Sequence, residues 1–177
     1  MNQMMNDMIN GVHVHERTID YYGKVLPEMQ IVSIDNRADA DRSRNLDLSK
    51  TIKDSDFEYL NSADFVTDFG TIEHVKDLYY ALKNVFNILK TGAKVLHSNP
   101  KIGHFPNHND FHKFSTKFWE VYSELAGFKI LEIGEQAAYH NEKTGMEVFV
   151  VMEKQEGAKF PAKKDFDHIY KKYIKKA

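Results

Sequence analysis

The chain has 177 residues, a hydrophobic fraction of 42%, a charged fraction of 28% and a formal net charge of −2, which suits one globular domain with a single core and argues against a polyanion-binding surface, so nucleic acid is not an expected partner. Cysteine is absent, which removes disulfides, thiolate metal sites and cysteine nucleophiles from consideration. No run approaches the roughly 20 apolar residues of a membrane span, and the opening MNQMMNDMIN has no basic residue ahead of an apolar stretch, so neither a membrane partner nor a secretory leader is expected and a cytoplasmic setting is.

Over residues 8–26, Val12, Ile19, Tyr22, Val25 and Leu26 stand at helical spacing and Pro27 closes the segment. Met29 to Ile34 (MQIVSI) is rich in β-branched residues and predicts a buried strand ending at Asp35. Leu46-Asp47-Leu48 interrupts a polar stretch as a short strand, and Ala63 to Thr67 predicts another. Val75, Leu78, Tyr79, Leu82, Val85, Phe86 and Leu89 recur at steps of three and four, which predicts a helix, with Gly92 as its left-handed stop. Lys94 to His97 follows as a strand. Ser115 or Thr116 is placed to cap a helix carrying Phe118, Trp119, Tyr122 and Leu125, stopped by Gly127. Phe128 to Ile133 and Met146 to Met152 predict two closing strands.

Alternating strands and helices predict an α/β fold, doubly wound and mostly parallel, with the last two strands as an antiparallel hairpin at one edge. Residues 1–154 are read as the body, and 155–177 as a linker and a basic C-terminal helix that docks Phe166, Ile169, Tyr170 and Tyr173. Residues 104–112 (HFPNHNDFH) bring His104, His108, Asp110 and His112 together. Histidine titrates near neutrality, so this loop offers a general base. A metal held by His108, Asp110 and His112 is a lesser alternative and no metal is expected, because no element visibly supports the ligands; a polar surface loop is the plain alternative.

In order, the pieces IVSID, NLDLS, ADFVTDFGTIEHV, NILKTGAKVLHSNP and FHKFSTKFWEVYSELAGFKI resemble class I S-adenosylmethionine-dependent methyltransferases of the small-molecule type over residues 29–152. The resemblance implies a Rossmann-like sheet, S-adenosylmethionine as cofactor, and methyl transfer to a small-molecule or sugar-type acceptor. It implies that Asp35 accepts from the ribose hydroxyls, that Asp47 accepts from the adenine amino group with Leu46 against the ring, and that Asp68, Phe69 and Glu73 line the cofactor site. His74, beside the transfer position, and His104 and His108, on the acceptor-side loop, are the implied catalytic residues. Each residue also has a plain reading: Asp35 suits a turn, Asp47 an exposed position, and Glu73 a helix N-terminus.

The family's first strand and glycine-rich loop are missing from this pattern, since only Gly11 and Gly23 precede Asp35. Glycines there let the backbone approach the cofactor closely, so weak or absent cofactor binding is expected. A truncated enzyme, a chain completed by a partner or by self-association, and a non-catalytic binding or scaffolding domain all fit the sequence. A nucleotide-sugar enzyme of similar fold fits Glu73-His74-Val75 less well.

Overall fold

The computed structural model describes residues 27–35, 43–53, 58, 60–106, 110–140 and 143–176. The expected helix over 8–26 and His108 lie outside the described residues. The chain divides into an N-terminal unit ending at Asp47 and a larger unit beginning at Leu48.

In the N-terminal unit, β1 (Ser33–Asp35) and β2 (Ser43–Asn45) pair in parallel, with Asp35 opposite Asn45. The Leu46 N–H donates to the Asp35 carbonyl at 2.9 Å and continues the ladder by one bond. Both strands differ from expectation. The strand expected from Met29 begins only at Ser33, and Met29 is exposed. The segment expected as Leu46-Asp47-Leu48 is the exit of β2 and not the strand itself. β1 and β2 form a two-stranded ladder of their own.

The larger unit is built on a four-stranded sheet of β3 (Ala63–Phe69), β4 (Leu89–Pro100), β6 (Phe128–His140) and β7 (Lys143–Lys154), in the order β3-β4-β7-β6. β3 and β4 are parallel, while β4–β7 and β7–β6 are antiparallel. This sheet is therefore mixed, not mostly parallel. The expected antiparallel hairpin is present at one edge of the sheet, with β6 outermost and β7 between it and β4. β7 alternates buried Val148, Val150 and Met152 with less buried residues, a pattern that fits between two neighbours.

α1 (Leu78–Ile88) carries the chain from β3 to β4. It starts later than its periodicity predicts because Ile72–His74 forms a separate 3₁₀ turn and the Asp77 carboxylate caps the helix by accepting from the Tyr79 N–H. It ends at Ile88, and Gly92 is not its stop. Lys154 Nζ instead donates to the Phe86 and Leu89 carbonyls, both at 2.8 Å, so the terminal acceptors are satisfied without a glycine cap. Gly92, at φ +79°, takes up the irregular opening of β4, where the register against β3 shifts.

α2 (Thr116–Ala126) is bounded as its sequence predicts: Ser115 Oγ accepts from the Phe118 N–H and Gly127 adopts φ +75°. A Cβ on Gly127 would lie 2.8 Å from the Ala158 Cα, so close approach also requires glycine there. Phe118, Trp119 and Tyr122 are buried, but Leu125 is 41% exposed and off the packed face, a correction to the expected stripe. α1, α2 and the buried residues of β4 and β7 form one core with Phe166 and Ile169 of α3 (Lys163–Tyr173). Beyond α3, β8 (Lys175–Lys176) pairs antiparallel with β5 (His112–Lys113), tying the chain's end to the segment that follows the histidine loop.

Candidate functional site

β3 and β4 run in parallel, so their carboxyl ends open on the same side, where open α/β sheets place their ligands. Asp68 stands opposite His97 in that ladder and Phe69 opposite Ser98. The chain then turns through Gly70 at φ +72°, whose N–H donates to the Ser98 carbonyl, and enters the 3₁₀ turn. A Cβ at Gly70 would lie 3.1 Å from Glu73 Oε1. The turn therefore folds Glu73 back against its own glycine.

Four donors hold the Asp68 carboxylate. Oδ1 accepts from the Thr71 and Ile72 N–H groups at 3.1 and 3.2 Å, and Oδ2 accepts from His97 Nδ1 at 2.7 Å and Asn99 Nδ2 at 3.1 Å. His97 is buried and stacks on Trp119 with ring centroids 4.6 Å apart. Asp68 is thus a framework residue that shapes the turn, and its carboxylate has little capacity left for the cofactor contact expected of it. Phe69, next in sequence, is 44% exposed.

Glu73 is buried, and Asn99 Nδ2 donates to its Oε2 at 3.2 Å, so one amide spans both acids. Burial, and secondly the charge of Asp68, push the Glu73 carboxyl up to about 8. Among the described residues, the Asn99 Oδ1 has no hydrogen-bond partner. His74 is 41% exposed and lies between two acids, with Nε2 3.9 Å from Glu73 Oε1 and Nδ1 3.6 Å from Asp110 Oδ1. The other Asp110 oxygen is paired with Lys113, whose Nζ also donates to the Phe105 carbonyl at 3.1 Å.

The loop that carries Asp110 is held from both sides. The Phe111 N–H donates to the Glu73 carbonyl at 2.7 Å, and His112 Nε2 donates to the Val75 carbonyl at 2.8 Å. His112 Nδ1 accepts from the Tyr170 hydroxyl of α3 at 2.9 Å. Both His112 nitrogens are engaged, which removes it from the alternative ligand set of His108, Asp110 and His112. His104 is half-buried in the turn after β4, its N–H donating to the Lys101 carbonyl. In the N-terminal unit, Asp35 ends β1 and Asp47 follows β2, and the Leu46–Asp35 backbone bond brings the two acidic segments side by side.

Glu73 and His74 are therefore gathered with Asp110, and Asp35, Leu46 and Asp47 are gathered with one another. His97, Asn99 and Lys113 escaped sequence reasoning. The one signal for the first two was a run of polar residues, His97-Ser98-Asn99, closing an apolar strand.

No protein-family model matches the chain, and no curated protein sequence matches it. Similar solved structures include the PH0226 protein from Pyrococcus horikoshii, at 12% identity and TM-score 0.51, covering 87% of this chain and 91% of that one. They also include a SAM-dependent methyltransferase from Methanosarcina mazei, at 15% identity and TM-score 0.43, covering 60% of this chain and 66% of that one. A third is a Burkholderia thailandensis 1,6-didemethyltoxoflavin-N1-methyltransferase with bound S-adenosylhomocysteine, at 14% identity and TM-score 0.47, covering 65% of this chain and 51% of that one. The chain matches between half and two thirds of the length of these two methyltransferases. At this identity the likeness to the PH0226 protein is one of fold alone.

Proposed function

We propose that the chain is a methyltransferase-like protein whose cofactor is S-adenosylmethionine and whose acceptor is a small molecule or sugar-type compound. The observation that carries this reading is that Asp35 ends β1 and Asp47 follows the end of its parallel neighbour β2, with the Leu46 N–H bonded to the Asp35 carbonyl. Carboxylates accept and do not donate, so this pair of acceptors fits a ligand that donates ribose hydroxyls to Asp35 and an adenine amino group to Asp47, with Leu46 against the ring. When bound, the cofactor supplies an electrophilic methyl group on a sulfonium. The chain's own contribution is positioning, together with a histidine drawn from His74, His104 and His108 to take the acceptor's proton.

A second reading, a non-catalytic binding domain of the same fold, is favoured by the inward engagement of Asp68. Calorimetric titration with adenosine separates the two. Adenosine binding that is lost in Asp47→Ala, with the circular dichroism unchanged, supports the cofactor reading. An absence of adenosine binding by the native chain supports the second.

A further inference from the structure

We propose that Glu73, His74 and Asp110 form a binding site for one divalent transition-metal ion, with Mn(II) or Zn(II) as the chemical class. One ligand atom from each residue lies within 4.8 Å of the other two. Bonds of 2.0–2.2 Å place ligands roughly 3–3.5 Å apart, so the widest of these gaps has to close by only about 1.5 Å. His74 is the one exposed member of the set.

The composition of the set selects the metal. One imidazole with two carboxylates is too nitrogen-rich for magnesium or calcium and has no soft sulfur, which leaves the borderline first-row ions. Both carboxylates are held in the way that ligating carboxylates are usually held. Each has one oxygen anchored by the protein, Glu73 Oε2 by the Asn99 amide and Asp110 Oδ2 by the Lys113 ammonium. The opposite oxygens face the imidazole of His74, Glu73 Oε1 at 3.9 Å from Nε2 and Asp110 Oδ1 at 3.6 Å from Nδ1, so one of the two nitrogens would serve as its ligand atom.

A separate observation points to a ligand at this place. Asn99 is fully buried, and the Oδ1 of the same amide that touches Glu73 has no hydrogen-bond partner among the described residues. A buried acceptor left in this state costs free energy, and a water carried by the ion is a donor of the kind it lacks.

This inference rests on the larger unit alone and holds whether or not the chain binds S-adenosylmethionine. If both readings stand, His74 is a ligand and proton removal passes to His104 or His108. The test is titration of Mn(II) into the chelator-stripped full chain, with the unbound ion followed by electron paramagnetic resonance. The expected result is one saturable site per chain, weakened at least about tenfold in His74→Ala and in Asp110→Asn, and unchanged in His168→Ala, which alters an exposed histidine of α3. Glu73→Gln, which keeps the Asn99 contact, gives the same weakening without disturbing the fold. Absence of a saturable site, or a site equally strong in the His74 and Glu73 variants, overturns the proposal.

Discussion

His97 Nδ1 stands 2.7 Å from Asp68 Oδ2, and neither side chain is more than 5% exposed. This contact joins the ends of two parallel strands and fixes the carboxylate whose other oxygen caps the turn bearing Glu73 and His74. Asp68→Asn replaces one acceptor oxygen by a donor facing other donors. It should destabilise the chain by about 2–4 kcal/mol, because a buried, charge-assisted network is broken on one side. The check is the urea midpoint at neutral pH, where an unchanged value would remove Asp68 from the framework.

The buried Glu73 carboxyl makes stability depend on pH in a definite direction. Its folded-state value is raised from 4.5 to about 8, first by burial and then by Asp68. Between those limits the folded chain retains a proton that the unfolded chain has released. The contribution is complete below pH 4.5 and is lost as the pH rises through about 8. In chelator, thermal unfolding at pH 5, 7 and 9 should show that loss in the native chain, and Glu73→Gln should flatten it and be the more stable of the two at pH 9. Parallel curves for both proteins would show that Glu73 is not shifted.

Asn84 is fully buried in α1 and holds an otherwise irregular segment. Its Oδ1 accepts from the Ile52 N–H at 3.0 Å, and its Nδ2 donates to the Leu48 and Lys50 carbonyls at 3.2 and 2.7 Å. Asn84→Ala leaves three backbone groups to find other partners, at a cost of about 2–4 kcal/mol. Hydrogen exchange should accelerate first at Ile52, whose amide loses its acceptor, and exchange unchanged at that amide would contradict this account.

Gly145 admits the Phe105 ring, since a Cβ there would lie 2.3 Å from Phe105 Cζ. Phe105 is itself buried in a left-handed conformation at φ +51°, so the ring has little freedom to withdraw. Gly145→Ala should cost about 1–3 kcal/mol through overpacking, and should loosen the hold of the Phe105 carbonyl on Lys113. If the proposed ion site exists, this variant also weakens Mn(II) binding with no ligand changed; native-like stability would show that the ring moves aside without strain.

For the cofactor reading, S-adenosylhomocysteine should bind this chain weakly or undetectably. The glycine-loop contacts absent from this sequence would each be worth about 0.5–1.5 kcal/mol, and losing two or three lowers affinity by about one to three orders of magnitude. Adenosine, which relies on Asp35 and Asp47, should lose less. Tight binding of S-adenosylhomocysteine by this chain alone would show that the loop is dispensable.

The sequence by itself determined the elements whose signals are local. The three- and four-residue steps of Leu78, Tyr79, Leu82, Val85 and Phe86 placed α1, Ser115 and Gly127 bounded α2, and the alternation through Val148, Val150 and Met152 placed β7. It also singled out Glu73 and His74 as neighbours, because two adjacent residues on a tight turn stay together in any fold. What only the tertiary structure decided are relations between residues far apart in the chain. His97 and Asn99 read as polar interruptions of an apolar strand until Asp68, 29 and 31 residues away, supplies their partner. Lys154 reads as a strand's exposed end until it caps α1 from 65 and 68 residues away. His112 reads as a metal ligand or base until Val75 and Tyr170 occupy its two nitrogens. Apolar periodicity repeats along the chain, because every core residue needs the same thing, exclusion from water. A buried polar group instead needs one particular partner in one geometry, and which residue meets that need is set by packing.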